Sequence, residues 1–127
     1  MRVIFMGSTY YPSQSQSGMN ILVQLGNGDN LVFDFGIGSL RNYGSMRIPS
    51  NKINDIFFTH LHMDHMGDLP YFMMFRPIQG GWTPLNIYGP SGSEEKYGIA
   101  HLVKHMMKMT AWHQDSFHSW PIGEGYD

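Results

Sequence analysis

Cysteine is absent from all 127 residues, which removes disulfides, thiolate metal ligands and cysteine nucleophiles in one step. Any metal would have to be held by His and carboxylates. The same absence leaves the compartment open, because a chain without Cys tolerates reducing and oxidising surroundings equally. An excess of basic charge is lacking too: eight Lys+Arg against ten Asp+Glu give a formal net charge of −2, without the footprint of a dedicated nucleic-acid binder. No run approaches the ~18 apolar residues needed to cross a bilayer, so no membrane partner is expected. Residues 1–5 are too short for the apolar part of a signal peptide and read as a first strand, which makes the cytoplasm the expected location. What is present is 42% hydrophobic and 14% aromatic residues, enough for one domain over 1–127 with a core of its own.

Alternation and turn residues predict strands over 2–6, 20–25 and 31–35. The last two are joined by Gly26-Asn27-Gly28-Asp29-Asn30, which supplies the positive-φ positions of a tight hairpin. The polar stretch 8–18 has neither period and reads as an exposed loop. Residues 52–59 rise into Ile53, Ile56, Phe57 and Phe58, as in a strand buried on both faces. A short helix is expected over 66–75, with Pro70 in its first turn, then a break at Gly80-Gly81 and a strand over 85–88. The longest helical pattern is 93–110, with Ile99, Leu102, Val103 and Met106 on its apolar face. Residues 112–127 show no closing element.

Chemistry concentrates at the end of the 52–59 strand, in Thr59-His60-Leu61-His62-Met63-Asp64-His65. With seven His and seven Asp in the chain, four such fixed positions match by chance in about one chain of a thousand. Residues two apart in an extended segment point the same way, so His60 and His62 can share one metal. Asp64 and His65 can reach a second, as in a two-metal centre of ~3.5 to 4 Å separation. Nitrogen and oxygen donors without sulfur suit zinc, with manganese or iron as alternatives. Two such ions would generate a nucleophilic metal-bound hydroxide. Asp64 would then have a catalytic part as well, accepting a proton during attack.

This HxHxDH motif after a strand resembles the signature of the metallo-β-lactamase superfamily of metal-dependent hydrolases. Residues 5–8, 31–36, 65–70 and 86–92 are similar to its ribonuclease Z and arylsulfatase-like branch, so the resemblance runs from Val3 to about Gly92. It implies an α/β (α+β) fold, the αββα sandwich, with His60 and His62 on the first metal and Asp64 and His65 on the second. Asp34 would hold the loop that carries these ligands. Complete members of the family supply further ligands, a His, a bridging Asp and a late His, from the second half of the chain, and these are not recognisable here. The chain is therefore expected to be the N-terminal half of a larger enzyme, truncated at its C-terminus, inactive alone and missing its partner half. A half-sandwich leaves an apolar face unpaired, so a product of this length should form a homodimer or aggregate.

The expected function is metal-dependent hydrolysis of an ester-type bond, a sulfate ester or a phosphodiester, in a small molecule or RNA. The arylsulfatase-like branch fits slightly better on Gly67-Asp68-Leu69-Pro70 and Gly80-Gly81-Trp82. A tRNA 3′-end endonuclease is the alternative among enzymes, and a non-catalytic metal-binding remnant the alternative outside them. Other histidines carry less. His101 and His105 share a helix face with Lys104 and Lys108, whose ammonium groups repel a cation. His113, Asp115 and His118 lie among aromatics suited to packing. Met73, Met74, Phe75 and Trp82 read as core before they read as a substrate pocket. The Asp34-Phe35-Gly36 triplet spells a kinase motif without the glycine-rich loop or strand lysine that a kinase requires.

Overall fold

Period-two alternation gives the sheet two different faces. Ile4, Leu22, Val32, Ile56 and Ile87 stand opposite one another across five strands in the order β1-β2-β3-β4-β5, and Leu22, Val32 and Ile56 are fully buried. The strands are β1 Arg2–Gly7, β2 Asn20–Gln24, β3 Asn30–Phe33, β4 Asp55–Phe57 and β5 Asn86–Tyr88. The first two pairings are antiparallel and the last two parallel. The computed structural model describes residues 1–118, 120 and 126.

The α-helices among the described residues are α1 (Leu40–Ser45), α2 (Met63–Met66), α3 (Leu69–Phe75), α4 (Ile99–Met109) and α5 (Ala111–Ser116), with short 3-10 turns at Ser50–Lys52, Pro77–Gln79 and Glu95–Tyr97. Tyr43, Met66, Leu69, Phe72 and Met106 pack with Phe35, Ile53 and the apolar sheet row into one core. Each fully buried large side chain there is worth about 1.5–3 kcal/mol. Phe35 stacks between Tyr43 and Phe72, with ring centroids 5.6 and 4.8 Å away, and so joins α1 and α3 to the end of β3.

Several expected boundaries move, each for a local reason. β3 stops at Phe33 rather than 35, because Asp34 turns left-handed (φ 61°). β4 is three residues rather than eight, since Ser50–Lys52 closes a 3-10 turn before it. It is not buried on both faces: Ile56 is buried while Phe57 is half-buried, because among the described residues no helix packs on the Phe57 side. The 66–75 helix is two, α2 and α3, with Pro70 in the first turn of α3 as expected. The 93–110 helix starts only at Ile99, since Gly98 is extended (φ −92°, ψ 159°). Stretch 8–18 is exposed up to Gln16 apart from the half-buried Thr9 and Pro12, then buries Ser17 and Gly18. Helices α1 and α5 carried no recognised sequence signal, the latter inside the stretch read as irregular; positions 119, 121–125 and 127 of that stretch lie outside the described residues. The 26–30 hairpin stands, with Gly28 at φ 97°.

Candidate metal centre

Asp34 leaves the end of β3 and Thr59 the end of the neighbouring β4, so the carboxyl ends of two parallel strands frame the site. Ordinary residues avoid φ of 61°, and Asp is one of the few that tolerate it. The turn aims the carboxylate of Asp34, itself 5% exposed, at the following segment. Its Oδ1 accepts the Thr59 N–H at 2.8 Å and its Oδ2 the Thr59 hydroxyl at 2.9 Å. Oδ2 also lies 2.8 Å from His65 Nδ1. A carboxylate on one imidazole nitrogen fixes the ring and turns the other nitrogen outward, the usual support for a metal-binding His.

His60 is held in the same manner, with Nδ1 3.0 Å from the Thr59 hydroxyl. Its Nε2 faces His62 Nδ1 at 3.1 Å. On the other side His65 Nε2 faces Asp64 Oδ2 at 3.3 Å. Two ligands each about 2.0–2.1 Å from one tetrahedral ion stand about 3.3 Å apart. Both pairs therefore have the separation of one edge of a coordination shell, and the donors suit a divalent ion. The rings of His60 and His65 lie 4.0 Å apart, so the two edges are neighbours. Among the described residues no three such side chains converge on a single ion position; each pair alone is an incomplete shell.

The backbone beneath is set by glycines. A Cβ on Gly36 would stand 2.1 Å from the Asp64 carbonyl oxygen, and one on Gly18 2.7 Å from it. Only bare backbone lets the segment before β2 and the β3–α1 turn come this close to it. That approach allows the Met19 N–H to donate to the Asp64 carbonyl at 2.9 Å and the Phe35 N–H to donate to the His65 carbonyl. Thr59, Gly18 and Gly36 were not assigned any role from sequence. The one available signal was the position of Thr59 directly before the motif and of Gly36 directly after Phe35.

The remaining histidines are elsewhere occupied. His101 and His105 stack on each other, centroids 4.0 Å apart, on α4. His113 lies on α5 with Nε2 3.2 Å from the Met74 carbonyl and packs on Phe75 and Phe117, while Asp115 and His118 are exposed. Met74 is core and Met73 partly so, but both also line, with Trp82, a cavity of about 460 Å³ that none of the motif residues enters.

A mixed sheet with helices packed on one face and this His-rich turn at the ends of its parallel strands define a ribonuclease Z-like form of the metallo-β-lactamase fold. Human tRNase Z, short form, superposes with a TM-score of 0.71 at 27% identity, over 86% of this chain and 40% of that one. The metallo-β-lactamase fold protein YhfI from Bacillus subtilis superposes with a TM-score of 0.63 at 24% identity, over 74% of this chain and 39% of that one. Among curated proteins, ribonuclease Z of Lacticaseibacillus casei (strain BL23) is 37% identical over 116 residues, 89% of this chain and 34% of that protein. Ribonuclease Z of Listeria monocytogenes serotype 4a is 36% identical over 98 residues. The chain thus spans about a third of the length of the curated relatives it matches. The family model described as anti-Pycsar protein Apyc1 matches residues 1–118, and the chain belongs to that family. Among the described residues no helix is long and apolar enough to cross a membrane.

Proposed function

We propose that residues 60–65 are part of the active site of a metal-dependent hydrolase that cleaves phosphodiester bonds in RNA. The observation carrying this reading is the pair of ligand edges, His60/His62 and Asp64/His65, the second fixed from behind by Asp34. A divalent metal bound there, zinc first by its donors, would supply Lewis acidity and a water acidified towards neutral pH. The chain's own residues do the rest. Asp34 holds His65 in one tautomer through Nδ1, and Thr59 orients His60 in the same way. Asp64 presents Oδ2 to His65, and its carboxylate would accept a proton during attack. The remaining ligands of each shell come from outside these pairs.

A phosphodiester is favoured over a sulfate ester because the relatives above are named as ribonucleases. The test is release of p-nitrophenol from bis(p-nitrophenyl) phosphate and from p-nitrophenyl sulfate by metal-loaded protein in which the segment supplying the remaining ligands is present together with this chain. The phosphodiester should react, and His62→Ala should abolish that reaction. Faster cleavage of the sulfate would return the arylsulfatase reading; metal binding without either activity would favour a non-catalytic remnant. The family description supports a second reading, in which the protein acts against Pycsar; a His62→Ala variant that still did so would separate that role from the metal centre.

A further inference from the structure

The loop joining β1 to β2 is built from the wall of the metal centre outward. Gly18 and Met19 at its end lie against the Asp64 carbonyl, as above. The Ser8 and Thr9 N–H groups both donate to the Ser17 carbonyl, at 2.9 and 3.1 Å, and Thr9 forms a bridge with Gly18. Ser17 Oγ donates to the Gly38 carbonyl at 3.1 Å. Thr9 Oγ1 then closes a small turn, donating to the Tyr11 carbonyl at 3.2 Å and accepting the Tyr11 N–H at 3.3 Å. Tyr10 and Tyr11 ride on that turn, one and two residues beyond the bridge.

Both rings are turned to solvent, 81% and 77% exposed. Their centroids are 6.4 Å apart and their planes 54° apart, so neither covers the other's face. At 3.8 Å per residue, this connectivity keeps the Tyr10 Cα within about 15 Å of Asp64. Among other exposed aromatics, Trp82, Tyr97 and Trp112 sit on segments without such a tie to the motif, and Tyr88, whose carbonyl accepts the Phe58 N–H, has its ring stacked on Phe57. With a net charge of −2, the chain has little long-range attraction for a polyanion, so contacts to bases have to supply much of the hold on a nucleic acid.

We propose that Tyr10 and Tyr11 form a stacking site for nucleobases flanking the phosphodiester presented to His60, His62, Asp64 and His65. The proposal rests on the phosphodiester reading above. An aromatic face accepts any base, so the site would grip single-stranded substrate without selecting its sequence. Stacking on one ring corresponds to about 5- to 150-fold in affinity.

Two fluorescein-labelled probes test this on the whole chain with Mn²⁺ present: a 12-residue oligouridylate and an abasic strand of equal length and charge. The wild type should bind the oligouridylate more tightly. Tyr10→Ala/Tyr11→Ala should weaken oligouridylate binding at least about 5-fold and leave the abasic strand unchanged, while Tyr10→Phe/Tyr11→Phe should bind as the wild type does. Equal binding of the two probes by the wild type overturns the stacking site alone, and absence of binding to either overturns the phosphodiester reading with it. A phenylalanine variant as weak as the alanine variant also overturns the site, because its rings are intact.

Discussion

At the scale of single residues, Asp34 is the hinge between fold and site. It accepts from Thr59 and pairs with His65 while lying 5% exposed. Asp34→Asn keeps a side chain that tolerates its left-handed backbone but removes the charge behind His65. Zinc affinity should fall about 10- to 100-fold with little change in the thermal midpoint, as isothermal titration and a melting curve would show. Gly36→Ala acts differently, by driving a methyl group into the Asp64 carbonyl. It should cost about 1–3 kcal/mol in urea denaturation and weaken metal binding along with stability. The four candidate ligand positions were legible because they fall within six residues and are chemically unusual, and Asp34 followed from the family resemblance. Thr59, Gly18 and Gly36 were not, because their partners lie about 25 to 45 residues away and no local pattern announces a close backbone approach.

At the scale of elements, α1 is tied to the sheet by a buried polar chain. The Tyr43 hydroxyl donates to Asn20 Oδ1 at 2.6 Å, Asn20 Nδ2 donates to Ser39 Oγ at 3.0 Å, and Ser39 Oγ donates to the Gly36 carbonyl at 2.7 Å. The Tyr43 phenol is pushed well above its ordinary value by burial, with the Asn20 bond a smaller opposing effect. Below about pH 10 the phenol is neutral both folded and unfolded and contributes no pH dependence. Above it the unfolded phenol ionises while the folded one stays neutral, so stability should fall as pH rises. Tyr43→Phe should flatten that alkaline loss and cost about 1–3 kcal/mol at neutral pH for the stranded Asn20 acceptor. Chemical denaturation at pH 7 and pH 11 measures both. Helix α1 escaped sequence reading because its six residues include Gly44 and bury only Tyr43. α4, by contrast, was foreseen from its apolar face, and only its start was misplaced, since Gly98 and the 3-10 turn before it leave no periodic trace.

At the scale of the molecule, the two sheet faces are unequal. The row Phe5, Ile21, Phe33, Phe57 and Tyr88 runs in register across all five strands on the side opposite the core. Phe57 stacks between Phe33 and Tyr88, with centroids 5.3 and 4.7 Å away, while Phe5 is 70% and Tyr88 47% exposed. An apolar face of this extent is a surface for association. The isolated chain should therefore self-associate with rising concentration in sedimentation velocity, and Phe5→Lys/Tyr88→Lys should shift it towards monomer. The alternation behind this face was plain in the sequence, but which side would lie bare was not, because that depends on where α1, α3 and α4 pack. The fold and the motif together make one central claim, that His60 with His62 and Asp64 with His65 are metal ligands. Calorimetric titration of the chain with Zn²⁺, beside His60→Ala/His62→Ala and Asp64→Ala/His65→Ala, tests it most directly. Measurable binding in the wild type that each double variant weakens or abolishes is the predicted result; a wild type and variants that bind zinc alike, or a wild type that takes up none, would contradict it.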